Sequence, residues 1–305
     1  MVSEIDIKLE VLLDKFRSAE TSISLLLADM PMANKRQRRE LYLAVVAILT
    51  TLQEDVDYWA ETELADVYRD AELTAIAQLE IAAIISESDY DVPGVADISD
   101  TLDLFQSEIR AATESVQSLA AAFQDGRGYG KFLDGPTRKA IAVAGVSAVV
   151  LSQAREQLRD NLPDQLVTII GKDGKPYHFS LAHYVGISAT HKLHQVMTDA
   201  ALIKAAESNH DLIRVSPQPS TIGDYCDAYR GRVVSISGMS SVYPPLSSLP
   251  NGGAPFHPNC HHWMEIFYVG MPDPGPISQS FLEIGEASDP TPNDLQRLWK
   301  QVHRG

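Results

Sequence analysis

Leu166-Val-Thr-Ile-Ile170, Gly171-Lys-Asp-Gly-Lys175 and Pro176-Tyr-His-Phe179 follow one another directly, and their reading decides the fold class. The outer runs are β-branched and aromatic, and the glycines between them suit a tight turn, so the stretch reads as a β-hairpin. Nearly everything before it reads as helix. After it comes another helix, capped by Ser180 and reaching about residue 208, then short β-prone runs at 211–215, 233–236 and 264–268. The order helix, hairpin, helix, strands predicts an α+β protein rather than a repeating βαβ sheet. The expected architecture is an N-terminal long-helix bundle or helical hairpin, followed by a smaller mixed α/β module with a loop-rich Cys/His knot.

Upstream of the hairpin, Ile5, Leu9, Leu12, Leu13, Phe16, Ile23 and Leu27 recur at steps of three and four, one stripe of a helix. Asp29-Met30-Pro31 ends it, because proline disfavours the α conformation in the residue before it. A second helical pattern starts after Asn34, a good N-cap, and continues to about residue 88 with no Gly or Pro. A phase change at 54–57 predicts a break or kink there. Residues 89–96 read as a loop, and a third helix covers about 99–123 with Ser99 as its cap. The glycines of Asp125-Gly-Arg-Gly-Tyr-Gly130 mark a boundary. A fourth helix is expected over 136–159, buried on most sides because residues 140–151 are apolar almost all round. Three regions result: an acidic helical region 1–125, an α+β module 126–268, and a Pro-rich tail 269–305. The tail ends in a short amphipathic helix whose Trp299 is a candidate docking residue.

Charge separates the same regions. The 305 residues carry 41 acids and 25 bases, a formal −16. Residues 1–125 hold 25 acids and 9 bases, whereas 126–305 hold 16 of each, so the imbalance is confined to the first part. With 45% apolar residues the chain can bury a core. Its longest nearly apolar stretches are too short to span a bilayer, and its N-terminus lacks a signal peptide's basic and apolar segments. The expectation is a soluble protein with no membrane association. Wholesale coating of nucleic acid is disfavoured by the charge. The local exception is Lys35-Arg36-Gln-Arg38-Arg39, either a solvated first helical turn or a contact for DNA or an acidic partner.

Three groups of residues carry chemistry. His183, His191 and His194 lie on the helix after the hairpin, but the glutamate of a His-Glu-x-x-His metal motif is absent, so they read as ordinary surface or half-buried histidines. Ser235-Ile-Ser237-Gly238 resembles a nucleophile turn only loosely, for want of the first glycine. The third group is stronger. Cys226 and Cys260 are the only cysteines, and Cys260 sits in His257-Pro-Asn-Cys260-His261-His262. Two thiolates and two imidazoles from separated segments suit tetrahedral zinc. Two buried thiols with solvent histidines, or a Cys226–Cys260 disulfide, are the competing readings.

The run Asp224-Tyr-Cys226-Asp-Ala-Tyr-Arg-Gly231-Arg-Val-Val-Ser-Ile-Ser237-Gly238, then Tyr243-Pro-Pro, then Phe256-His-Pro-Asn-Cys260-His-His262, resembles the C-terminal signature of tailed-phage minor capsid proteins. These form the minor capsid protein 2 group, related to Mu F-like head morphogenesis proteins. Asp134-Gly135, Asp173-Gly-Lys-Pro-Tyr177, Tyr184 with Thr190, and Asp211-Leu-Ile-Arg-Val-Ser216 fit the same pattern in order, so the likeness covers roughly residues 130–268. Departures are an absent arginine before Thr190 and His261 where arginine is usual; residues 1–125 do not align. The resemblance implies a structural protein rather than an enzyme: a low-copy minor capsid or head morphogenesis protein within a symmetric virion. It would sit at the head interior or portal vertex, after assembly in the host cytoplasm. The implied partners are portal protein, major capsid protein and packaged DNA. The matching position favours His262 over His261 as fourth ligand, beside Cys226, His257 and Cys260, of a structural zinc. The alternative is a zinc-dependent hydrolase or nucleotide-processing enzyme built on Cys226, His257 and Cys260, with Asp224 or Glu265 as base.

Overall fold

The computed structural model describes residues 2–82, 98–141, 147–171, 174–217, 225–258, 260–268 and 270–271. The docking candidate Trp299, the tail around it, the loop 89–96 and Asp224 lie outside these residues. The fold is α+β: long N-terminal helices, then small antiparallel sheets with a Cys/His/Cys cluster. Its two compact units are residues 1–61 with 102–188, and residues 62–101 with 189–305. Each draws on both the acidic part of the sequence and the balanced part.

In the first unit, α1 (Val2–Asp29) and α2 (Lys35–Trp59) form an antiparallel helical hairpin. Trp59 Nε1 donates to the Lys8 carbonyl at 3.2 Å, and Lys15 pairs with Asp55 at 2.5 Å. Leu12, Phe16, Ile23 and Leu27 of α1 and Leu49, Leu52 and Val56 of α2 are buried, as the three- and four-residue spacing requires. Pro31 sits in a 3-10 turn, Met30–Met32, where α1 ends. Asn34 closes a capping box: its side chain accepts from Gln37 N–H, and the Gln37 side chain accepts from Asn34 N–H, both at 3.0 Å. The expected break falls just past 54–57, as a π-helical segment, Ala60–Leu64, before α3 (Ala65–Ile81). Its wider turns rotate the apolar stripe of the helix that follows. The third long helix, α4 (Ser99–Gln124), begins at Ser99 itself and buries Phe105, whose ring lies 5.6 Å from that of Trp59.

The single helix expected over 136–159 is two: α5 (Gly135–Ile141) and α6 (Ala148–Asn161). Ser147 is extended, at φ −70° and ψ 152°, and its hydroxyl accepts from Val150 N–H, so a new N-cap starts α6. The expected burial of 140–151 also fails where the run is described. Val149 is 67% exposed, because the buried face of α6 is further along, at Ala154 and Leu158. Asp134 ties the two helices: it accepts from Thr137 N–H of α5 at 2.7 Å and from Gln157 Nε2 of α6 at 2.8 Å. Gln157 Oε1 accepts in return from Asp134 N–H at 3.0 Å. These bonds hold the Asp134 carboxyl below its ordinary pKa. The hairpin forms as read. Strand β1 (Val167–Ile170) pairs antiparallel with β2 (Pro176–Phe179), Val167 opposite Phe179, with Gly174 in the turn at φ +75°.

The second unit holds α3, α7 (Leu181–Glu207) from Ala189 onward, and a three-stranded sheet. Its strands are β3 (Leu212–Val215), β4 (Val233–Ser235) and β5 (Met264–Ile266), in the order β4-β3-β5 and antiparallel throughout. Ile213, Val215, Val234, Met264 and Ile266 pack with Ala75 and Leu79 of α3 and Ala205 of α7. Gln78 of α3 accepts from the Ile266 N–H at 3.2 Å. A cross-strand ion pair, Arg214–Glu265 at 2.5 Å, and a buried one, Lys204–Glu72 at 3.1 Å, complete the frame. Among the described residues no helix is long and apolar enough to cross a membrane.

Replacing Asn34 with Ala removes one half of the capping box and strands the Gln37 N–H at the start of α2. The expected loss is about 1 kcal/mol, read from denaturant unfolding, with Asn34→Ser close to wild type.

Candidate metal centre

Three loops of the second unit converge at its core. A 3-10 turn, Tyr225–Tyr229, carries Cys226. The chain then turns through Gly231, whose N–H donates to the Val215 carbonyl at 3.0 Å, so the segment after Cys226 is fastened to the end of β3. The 3-10 turns Leu246–Ser248 and Pro250–Gly252 lead through a cis Ala254–Pro255 bond to Phe256. Asn251, at φ 54°, donates its side-chain amide to the Phe256 carbonyl at 2.7 Å and so closes the loop before His257. Cys260 N–H donates to the His257 carbonyl at 2.9 Å, a tight turn that brings these two side chains to one side. Ser216 N–H donates to Trp263 O at 2.8 Å, and Met264 N–H to Thr198 Oγ1 of α7 at 2.9 Å, which lock the strand that follows.

Cys226, His257 and Cys260 meet there, with one ligand atom from each within 4.8 Å of the others. Both cysteines are buried and free, so the disulfide reading is not what the structure adopts. Ligands on a tetrahedral zinc with Zn–S near 2.3 Å lie about 3.8 Å apart, so a small contraction would close this group on an ion. The thiol of Cys260 is held below its ordinary pKa. The Cys226 thiol is the main cause, and backbone hydrogen bonds, including His262 N–H at 3.4 Å, add to it against the opposing effect of burial. A lowered pKa favours the thiolate, the form that binds metal. This buried Cys/His/Cys group could hold a metal ion.

His262, the expected fourth member, is fully buried but stands outside that group. Its Nε2 lies 3.4 Å from Asp227 Oδ1. Burial lowers its pKa, against the pull of the Asp227 charge. Of the other histidines, His183 is exposed and stacks on Phe179. His194 does more than its spacing indicated. Its ring stacks on Trp263 at 5.5 Å and 12°, and its Nδ1–H donates to the Cys260 carbonyl at 2.8 Å. Burial, with smaller contributions from neighbouring histidines, takes its pKa down to about 4, so the ring is neutral at neutral pH. It fastens the Cys260 backbone from 66 residues upstream, which no local motif reveals.

The Ser235-Ile-Ser237-Gly238 turn is clamped by Asp211. Ser235 Oγ donates to one carboxylate oxygen at 2.5 Å and Ser237 N–H to the other at 2.7 Å, while Ile236 N–H donates to the Asp211 carbonyl at 2.8 Å. Ser237 Oγ accepts from Met239 N–H at 3.1 Å. Gly238 has φ +71°, and a Cβ there would meet Pro245 at 3.1 Å, so glycine is required. Both hydroxyls thus serve the turn and not a nucleophile. Lys35, Arg36 and Arg39 are exposed at the start of α2, and Arg38 is half-buried.

No family model, no curated protein and no solved structure matches the chain.

Partial burial raises the Asp211 pKa, but the hydrogen bonds from Ser235 and Ser237 outweigh it and the net shift is downward. A depressed carboxyl stabilises the fold fully above about pH 4, and that stability is lost as pH falls through the lower folded value. Asp211→Ala should cost about 1–2 kcal/mol at neutral pH, with the exposure of the group already discounted. The gap between wild type and variant should narrow in acid, as followed by urea unfolding across pH.

Proposed function

We propose that this chain is a structural minor capsid or head morphogenesis protein of a tailed bacteriophage. In this reading it sits at the head interior or portal vertex and contacts portal or major capsid protein, with packaged DNA as a further partner. The observation that carries the reading is the use to which the shared motif residues are put. Asp134 caps a helix, Asp211 with Ser235, Ser237 and Gly238 builds a turn, and Cys226, His257 and Cys260 gather in the core. These are jobs of construction. Of the two acids that a hydrolase on this cluster could use as base, Glu265 is engaged by Arg214 across the sheet, and Asp224 lies outside the described residues.

The cluster is read as a structural zinc site. Cys226, His257 and Cys260 would hold the ion, and His262, which lies outside that group beside Asp227, would have to turn toward it to serve as fourth ligand. A bound zinc would join loops that are otherwise fixed by strands of three and four residues, and binding free energy of that kind becomes folding free energy.

Protein purified under reducing conditions should carry about one zinc per chain, measured by elemental analysis. Cys260→Ser should abolish binding and lower the melting temperature by several degrees, and chelation should do the same to wild type. Full zinc occupancy in His262→Ala would remove His262 from the ligand set, and absence of zinc from wild type would remove the site. The capsid reading has a separate test. Mass spectrometry of purified particles, with cross-linking, should recover the chain at low copy and linked to the portal; its absence from particles would overturn the reading.

A further inference from the structure

In the first unit two basic segments far apart in sequence come together. The guanidinium of Arg38, at the start of α2, lies against Gly126: a Cβ on that glycine would sit 3.6 Å from Nη1. Four residues on, Gly130 lies against Arg138 of α5, whose Cδ would be 3.3 Å from a Cβ there. The loop 125–134 therefore has the basic turn of α2 at one end and the basic start of α5 at the other. Lys35, Arg36 and Arg39 are exposed on the first, and Arg127, Lys131, Arg138 and Lys139 on the loop and α5.

Acids cancel only part of this charge. Arg36 pairs with Glu40 at 2.9 Å and Arg127 with Asp125 at 2.7 Å, while Asp134 is engaged as a helix cap. Lys35, Arg39, Lys131, Arg138 and Lys139 have no acidic partner among the described residues. Arg38 Nε is buried without a hydrogen-bond acceptor among them. The patch stands in a chain of net charge −16.

We infer that this surface binds the phosphate backbone of duplex nucleic acid. Five of its eight cations are arginines, whose planar fork matches phosphate oxygens in a way that lysine does not. Gly126 and Gly128, at φ +76° and +85°, give the loop the left-handed turns that carry Arg127 between them. The aromatic residues are turned inward: Phe123 and Phe132 are buried, and Tyr129 packs edge-on against Phe123 at 6.0 Å. With no exposed ring to stack on bases, a single strand gains nothing here over a duplex. Recognition would be electrostatic and independent of sequence, and the acidity of the remaining chain would limit it to this face. The inference stands on charge and geometry and does not depend on the capsid reading.

The test is fluorescence anisotropy of a labelled duplex of arbitrary sequence, titrated with the full chain over a series of salt concentrations. With four to six phosphates neutralised, log K should fall with log salt at a slope of roughly −4 to −5. The double variant Arg39→Ala/Arg138→Ala should weaken binding at low salt by at least tenfold and reduce the slope by about two. Arg69→Ala, an exposed arginine outside the patch, should change neither. Circular dichroism of each variant checks that the fold is kept. Absence of binding at the lowest salt, or the same slope in the double variant, would overturn the inference. So would a preference for a single strand of the same length, or displacement of the duplex by polyglutamate at equal charge concentration, which would point to an acidic protein partner.

Discussion

Cys226 and Cys260 are 34 residues apart in sequence, and their side chains touch in the core of the second unit. The strands around them are three and four residues long. Between β4 and β5 the chain runs through 3-10 turns and a cis proline with little regular hydrogen bonding. Sheets this small depend on what packs against them. The meeting of Cys226, His257 and Cys260 joins the two ends of this loop-rich segment, beside the β3–β5 pairing and the Ser216–Trp263 hydrogen bond. Around it the backbone is fixed by His194 on the Cys260 carbonyl and by Asn251 on the Phe256 carbonyl. The residues that face the cluster are thus held by groups from α7 and from the preceding loop, which fits a site built for rigidity.

That economy of polar groups bears on function. Around a catalytic metal, one expects an open coordination position and an acid or base poised beside it. Here Glu265 is engaged by Arg214, Asp227 faces His262, and the serines of the 235–238 turn are engaged by Asp211 or the backbone. The polar residues near the cluster serve geometry. The proposed capsid role is compatible with that use of polar groups.

Much of the fold was legible because its signals are local. The hairpin follows from β-branched runs around Gly171 and Gly174, the end of α1 from Pro31, and the start of α2 from Asn34 with Gln37. Composition misled where a local stop lay inside an apolar run. Ser147 breaks the helix expected over 136–159, and its polar hydroxyl, two residues after Gly145, was the available sign. The metal group was legible from residue type and spacing, since three of its four proposed ligands lie within six residues. What spacing could not show is which side chain faces which. His194 reaching Cys260, Asp227 beside His262, and Asp211 clamping Ser235 are contacts across 66, 35 and 24 residues, set by tertiary packing alone.

Charge adds a second theme. The acidic excess of residues 1–125 coexists with one basic surface, half of which comes from the α5 side of the glycine loop and so from the neutral part of the sequence. The fold, not the composition, brings those halves together. The central claim is nevertheless about the core: that Cys226, His257 and Cys260 form a metal-bound structural tie. Zinc K-edge absorption spectroscopy on the intact protein tests it most directly. The account predicts a four-coordinate shell with two sulfurs at about 2.3 Å and nitrogen near 2.0 Å. A shell of oxygen and nitrogen alone, or no bound zinc, would contradict it.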